Sequence, residues 1–368
     1  MAYTTINKSS EYFNTVTWSG NSSNPRNITG VGFQPDLVWG KIKSAGGNHY
    51  VIDVVRGSGT GTLNTLNTDD TSVEQTNTSG GSTSFGVYTS FDSDGFTVNA
   101  GSSSAKNTNE TGQTYVAWNW LGGGTGVSNT DGDITSTVSA STTSGFSIVS
   151  YTGNATDGAT VGHGLGASPA CIIFKNRIDS SSAKWAVYHK GAFVSQTNPN
   201  ILYLESTEAE ADDTNVLGGS SVTLNSTVFS LGDYNGSNGS GAAMIAYVFA
   251  EKKGYSKFGS YVGNGNADGT FVYTGFKPAW VMVKKSSASG DNWSILDNKR
   301  NTFNVMDKYL DPNSSNAEGT ADIWDFTSSG FKMRNTFSGY NASSATFIYM
   351  AFAENPLVGT NGVPATAR

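Results

Sequence analysis

The chain has 368 residues, only 14% of them charged, with 45 glycines against 8 prolines. Its 22 basic and 29 acidic residues leave a net charge of −7. Basic residues gather no more densely than in pairs such as Lys252-Lys253 and Lys284-Lys285, which disfavours a partner whose phosphates must be neutralised, so no nucleic acid is expected. A single cysteine, Cys171, excludes an internal disulfide framework or a cysteine-based zinc site.

The chain opens with Met1-Ala2-Tyr3-Thr4-Thr5-Ile6-Asn7-Lys8, which lacks the apolar stretch of a signal peptide. The polar segment before Trp18 reads as an attachment arm. The first landmark follows, an aromatic residue, one residue, then Gly-Asn: Trp18-Ser19-Gly20-Asn21. A turn at Gly32-Phe33-Gln34-Pro35 leads into an apolar run that ends at Lys41, and Tyr50 opens a short alternating segment. Gly57 to Ser84 is polar and reads as a long loop or hairpin. An aromatic run, Val116-Ala117-Trp118-Asn119-Trp120, closes the unit.

Thr125 to Ser144 is poor in large apolar residues and reads as a linker. The four landmarks then return. Phe146-Ser147-Ile148-Val149-Ser150-Tyr151 alternates as a half-buried strand does and runs into Thr152-Gly153-Asn154. Gly166-Ala167-Ser168-Pro169 leads to Lys175, Trp185 takes the place of Tyr50, Glu205 to Thr214 suits a helical turn or a loop, and Ile245-Ala246-Tyr247-Val248-Phe249 closes the unit. A third pass reads Tyr261-Val262-Gly263-Asn264, Gly275-Phe276-Lys277-Pro278 to Lys284, Trp293, and Ile348-Tyr349-Met350-Ala351-Phe352. Each lysine lies six residues after its proline, and the aromatic-to-proline spacings are 17, 18 and 17 (35 − 18, 169 − 151, 278 − 261). Ordered recurrence at near-constant spacing identifies internal repeats. Short apolar runs such as Cys171-Ile172-Ile173-Phe174, bounded by Gly, Asn, Asp and Ser clusters, identify strands. The expected fold is all-β: three tandem β-sandwich, jelly-roll-like repeats over residues 1–124, 125–256 (with 125–144 as linker) and 257–368. The longest apolar run, Ala242 to Ala250, is too short for a membrane helix, so no membrane insertion is expected and the protein is taken as soluble, made in a cytoplasm.

Little in the sequence suggests catalysis. The only histidines are His49, His163 and His189, and no Gly-x-Ser-x-Gly elbow accompanies them. The glycine runs Gly57 to Gly61 and Gly162 to Gly166 are not set between a strand and a helix, so they read as loops and no cofactor is expected. Carboxylates cluster at Asp69-Asp70, Asp92-Ser93-Asp94, Asp131-Gly132-Asp133 and Asp212-Asp213. Turn formation explains them without a metal. Glu251 and Glu354 recur at strand ends, which suggests structure rather than acid catalysis. Aromatic rings stack on sugars while polar tips bind hydroxyls, which makes Trp118, Trp120, Trp324 and Tyr340 candidates for contact with a host-surface glycan. The competing reading places them in the core.

Gly145 to Asn154 with Gly162-His163-Gly164-Leu165-Gly166, Lys257 to Asn266, Tyr309-Leu310-Asp311-Pro312-Asn313 and Phe352-Ala353-Glu354-Asn355-Pro356 resemble a family of tail-fibre-like or otherwise uncharacterised structural proteins of marine bacteriophages. The opening Met1 to Ile6 and Phe91 to Val98 fit the same group. The resemblance implies a virion structural component, not an enzyme, with other virion proteins as partners and a homo-oligomeric state. It implies no catalytic residues. The expectation is a tail fibre or receptor-binding component. A capsid decoration protein or head fibre is the alternative, and a polysaccharide-degrading spike a more distant one.

Overall fold

A computed structural model describes residues 4–59, 62–75, 85–101, 107–181, 183–192, 199–219 and 222–356. Strand makes up 45% of it and helix 5%, and the fold is all-β.

Each repeat builds one large antiparallel sheet in the same way, its first strand pairing with its last, the last with the third, and the third with the fourth. In repeat one these strands are Phe13–Ser19, Thr114–Trp120, Leu37–Ile42 and His49–Asp53. In repeat two they are Phe146–Thr152, Ala243–Phe249, Cys171–Asn176 and Ala186–His189. Repeat three uses Ser256–Val262, Thr346–Pro356, Phe276–Lys285 and Ser294–Asp297. The second strand of each repeat pairs instead with the next-to-last, in a smaller sheet: Arg26–Thr29 with Gly95–Asn99, Thr160–Gly162 with Val228–Ser230, and Phe271–Tyr273 with Gly330–Met333. Large and small sheets sandwich separate cores, with Trp18, Val38 and Tyr115 meeting Ile28 and Phe96 in repeat one. Val149 and Ile172 meet Val161 and Phe229 in repeat two, and Tyr261 and Val281 meet Val272 and Phe331 in repeat three.

A fourth core joins the repeats. The other face of every large sheet is also apolar, which is why Leu37–Ile42 and Cys171–Asn176 are buried at every position and read as continuous runs rather than alternations. At its centre Trp120, Phe249 and Phe352, one from each closing strand, touch pairwise with ring centroids 6.3, 5.7 and 6.1 Å apart. Aromatic pairs favour centroid spacings of this size.

Three equivalent backbone bonds close a ring around that core. Glu318 N–H donates to Lys43 C=O, Glu74 to Arg177 and Glu210 to Ser286, each at 2.8 Å. The acceptors lie two residues after the landmark lysines. Those lysines are buried and cross the same boundaries, Lys41 Nζ to Ser315 O at 3.3 Å, Lys175 to Thr71 O at 3.0 Å and Lys284 to Thr207 O at 3.2 Å. Repeat one thus docks on three, two on one, and three on two, giving one chain a pseudo-threefold axis.

Three sequence expectations need correction. Residues 125–144 are no spacer, because Val127–Asn129 and Ser136–Ser141 extend the large sheet of repeat two to eight strands. Small and polar side chains suffice there, since these strands lie toward the sheet edge. The described part of the segment before Trp18, from residue 4 on, is no free arm: Ile6 is 1% exposed in the shared core, and Phe13–Ser19 is a sheet strand. Tyr50 is not the counterpart of Trp185 and Trp293. Lys41 pairs with His49, whereas one step beyond the Phe174↔Ala186 and Val283↔Ser294 pairs the lysines face the two tryptophans, so His49 holds that position. Glu205 to Thr214 resolves into a two-residue strand, Ala211–Asp212, then the start of the helical turn Thr214–Leu217 capped by Asp213. Within Gly57 to Ser84 a hairpin joins Ser58–Gly59 to Thr62–Leu63, residues 76–84 lie outside the described residues, and so does the tail from 357.

Candidate functional site

The four aromatics singled out as glycan contacts are closed to solvent, with Trp118, Trp120, Trp324 and Tyr340 being 0, 1, 0 and 4% exposed. Trp118 Nε1 donates across a repeat boundary to Asp297 Oδ2 at 3.0 Å. Trp120 sits at the pseudo-threefold centre. Trp324 and Tyr340 pack on each other inside repeat three, centroids 5.9 Å apart. No sugar can reach these rings. Because both faces of each large sheet are covered, its aromatics fall inside whichever way they point.

The titratable groups are likewise committed to structure. Asp53, Asp297 and His189 occupy one position in the three repeats, opposite Leu37, Trp280 and Cys171. Asp53 accepts from Tyr247 Oη at 2.8 Å and from Arg56 Nε at 2.5 Å, and Asp297 from Trp118 and from Arg300 Nε at 2.5 Å. The matching neighbour of His189 is Met350, which has no donor, and His189 Nε2 instead bonds the Tyr349 carbonyl at 3.0 Å. An acceptor faces a donor in two repeats, and a donor faces a carbonyl in the third. Burial pushes the His189 imidazole down to about 4 and holds His49 well below its usual range. His163 belongs to a turn, where its Nδ1 accepts from Leu165 N at 3.2 Å. Burial pushes the Cys171 thiol up, away from the thiolate a nucleophile needs.

The carboxylate clusters close turns and caps. Asp94 accepts from Gly30 and Gly32 N, Asp92 from Ser90 and Thr97 hydroxyls, Asp133 from Thr160, Asp69 from His49 N and Asp70 from Ser72 N. Glu251 holds Lys190 and Lys257, while Glu354 holds Lys277.

Exposed aromatics concentrate elsewhere. Among the described residues Phe271, Tyr273, Phe303 and Phe337, 47, 59, 84 and 53% exposed, all belong to repeat three, against Phe85 alone in repeat one. Phe271 and Tyr273 alternate with buried Val272 on the edge strand of the small outer sheet. Lys332 lies directly opposite Phe271 and forms an ion pair of 2.5 Å with Asp268. Asp325 pairs with Lys332 across the next strand and with Arg334 at 3.3 Å. At the far side of the same sandwich, Lys277, Asn298, Asn301, Thr302, Phe303 and Asn304 border a cleft of about 80 Å³. Asn304 exchanges bonds with both backbone groups of Phe326, at 2.9 and 2.8 Å, which fixes the loop that carries Phe303.

The candidate site is therefore sought on repeat three, where exposed aromatic rings are set among amides and paired charges. Sequence reasoning favoured tryptophan and tyrosine rings with Asn, Asp and Ser close by. The signal for the exposed pair was the alternation Phe271-Val272-Tyr273 beside Lys332, visible only once the small sheet is known. No helix among the described residues is long and apolar enough to cross a membrane.

Among families of known proteins, one described as a domain of unknown function (DUF7483) matches residues 8–356. No curated protein and no solved structure matches the chain.

Proposed function

We propose that this chain, which belongs to the DUF7483 family over nearly its whole length, is a non-catalytic structural protein of a bacteriophage particle that acts as a tail fibre or receptor-binding component. The observation that carries the reading is the segregation of its aromatics: the large sheets seal theirs in a closed body, and among the described residues four of the five exposed rings belong to repeat three. Exposed rings gathered on one repeat suit an attachment protein, since exposed apolar surface rimmed by polar groups marks interaction sites. The phage-like motifs supply the virion context. Its partners on this reading are other virion proteins, further copies of itself and a host-surface component.

The pseudo-threefold body favours a second reading, a capsid decoration protein or head fibre, because a particle offers threefold positions on which such a body seats symmetrically. The two readings part on one measurement: binding of fluorescently labelled protein to intact cells of the candidate host, with capsule-stripped cells as control. Saturable binding lost on stripping is expected for the receptor-binding reading. Absence of binding by folded protein would favour decoration.

A further inference from the structure

We propose that Phe271 and Tyr273 form a stacking platform for a neutral polysaccharide. This rests on the receptor-binding reading and names its ligand class and residues.

Accessibility comes first. The strand alternates exposed, buried, exposed, so both rings stand on the outer face, about 7 Å apart at the rise of a β-strand. That separation is comparable to one sugar ring with its linking oxygen, so neighbouring rings of an extended glycan can each meet an aromatic face. The floor is flat. Gly330 lies opposite Tyr273, and a Cβ there would stand 3.2 Å from the Phe271 ring and 2.0 Å from Val272 O. One edge of the Phe271 ring thus lies beside Gly330, where a side chain would press against it.

Charge decides between polymers. Lys332 and Arg334 flank the rings, and each is matched by an acid, Asp268 and Asp325. Two cations against two anions leave no net field to recruit an acidic chain, yet they offer donors and acceptors for hydroxyls. The occupant that fits is uncharged and polyhydroxylated, with an apolar CH face for the rings.

The fold does not require the aromatics. Ile28, Val161 and Val272 pair equivalently with Phe96, Phe229 and Phe331. The positions flanking them are Asn27 and Thr29 in repeat one, Thr160 and Gly162 in repeat two, and Phe271 and Tyr273 in repeat three alone. An exposed aromatic edge strand is an association liability, and the other repeats dispense with it, so its presence here points to a ligand.

The test uses the full chain and the double variant Phe271→Ala/Tyr273→Ala, with Phe303→Ala as a control on the opposite side of the sandwich. Both are exposed changes that leave the core intact. Binding is read on an array of immobilised neutral and acidic bacterial polysaccharides, and by titration with dextran, laminarin and alginate. The expected result is binding to neutral glycans, weakened about tenfold or more in the double variant and unchanged in Phe303→Ala. Binding confined to acidic polymers, binding indifferent to the double substitution, or no glycan binding at all would overturn the platform. So would sedimentation showing that the two rings serve only to join a second copy. Cell binding separates the two claims. Wild-type and double variant binding cells equally would sink the platform alone, whereas ring-dependent glycan binding without cell binding would sink the receptor reading alone.

Discussion

At the scale of single residues the landmark lysines are the most informative side chains. Lys41, Lys175 and Lys284 are 1, 0 and 0% exposed, and burial pushes each down to about 8 from an ordinary value of 10.5. Each is held by backbone carbonyls, Lys175 by those of Thr71 and Ala183 at 3.0 Å. This fixes a pH dependence. Between about pH 8 and 10.5 the unfolded chain keeps a proton that the folded chain has released, so the unfolded state binds more protons and stability rises with pH. Below 8 the cost of burying the charge is fully present, and it fades as pH approaches 10.5. From pH 7.5 to 9.5 the gain is about 2 kcal/mol per lysine. Buried Cys171, whose thiol is pushed up, works against it by about 1 kcal/mol at pH 9.5, because only the unfolded chain releases that proton. Buried tyrosines such as Tyr151, pushed well up, reverse the trend above about pH 10. Urea unfolding should therefore show greater stability at pH 9.5 than at 7.5, and Lys175→Met should remove about a third of the lysine-dependent rise. A flat or falling profile would mean that the lysines are solvated in the folded protein.

Elements show why the repeat was legible and its purpose was not. The aromatic-x-Gly-Asn landmark is a docking joint. Asn21, Asn154 and Asn264 N–H groups donate to Oδ1 of the buried Asn109, Asn238 and Asn341, at 3.2, 2.8 and 3.0 Å. The aromatic tips Trp18 Nε1, Tyr151 Oη and Tyr261 Oη each donate to the carbonyl just before that asparagine. Gly20, Gly153 and Gly263 are required because a Cβ would come within 1.9, 2.3 and 2.3 Å of a backbone oxygen. The landmark was plain in the sequence, but its receiving asparagine was lost among many polar loop residues. All-β character and repetition were readable from period and spacing; which face of a strand meets solvent was not, because burial on both faces erases the alternation that would report it. A related joint fixes the small sheet of repeat one. Gly95 has φ +149°, and a Cβ there would meet Ile28 O at 1.9 Å across the Thr29↔Gly95 pair. Gly95→Ala should displace that strand from its partner and destabilise the protein by about 1–3 kcal/mol, overpacking and backbone strain acting together. A urea midpoint unchanged by the substitution would show that the pairing is looser than drawn.

The whole molecule is bound by a core that belongs to no single repeat. Phe13, Trp118 and Trp120 from repeat one, Phe146, Tyr247 and Phe249 from repeat two, and Trp280, Met350 and Phe352 from repeat three share one apolar cluster. Arg177 of repeat two grips Glu74 of repeat one at 2.6 Å, and Trp293 of repeat three donates to Tyr203 of repeat two at 3.0 Å. A repeat standing alone would present the inner face of its large sheet to water, and with it rings that in the ring-closed body are fully buried. Hydrophobic burial is the dominant favourable term in folding, so each repeat should depend on its two neighbours. Calorimetry of the full chain should then give one cooperative transition whose calorimetric and van't Hoff enthalpies agree. A chain ending at Gly254 should lose fixed tertiary structure, binding a hydrophobic dye and losing near-ultraviolet dichroism while keeping strand content. Three separable transitions in the full chain, or a shortened chain that melts cooperatively and ignores the dye, would mean that each sandwich stands on its own core and that closure of the ring adds orientation rather than stability.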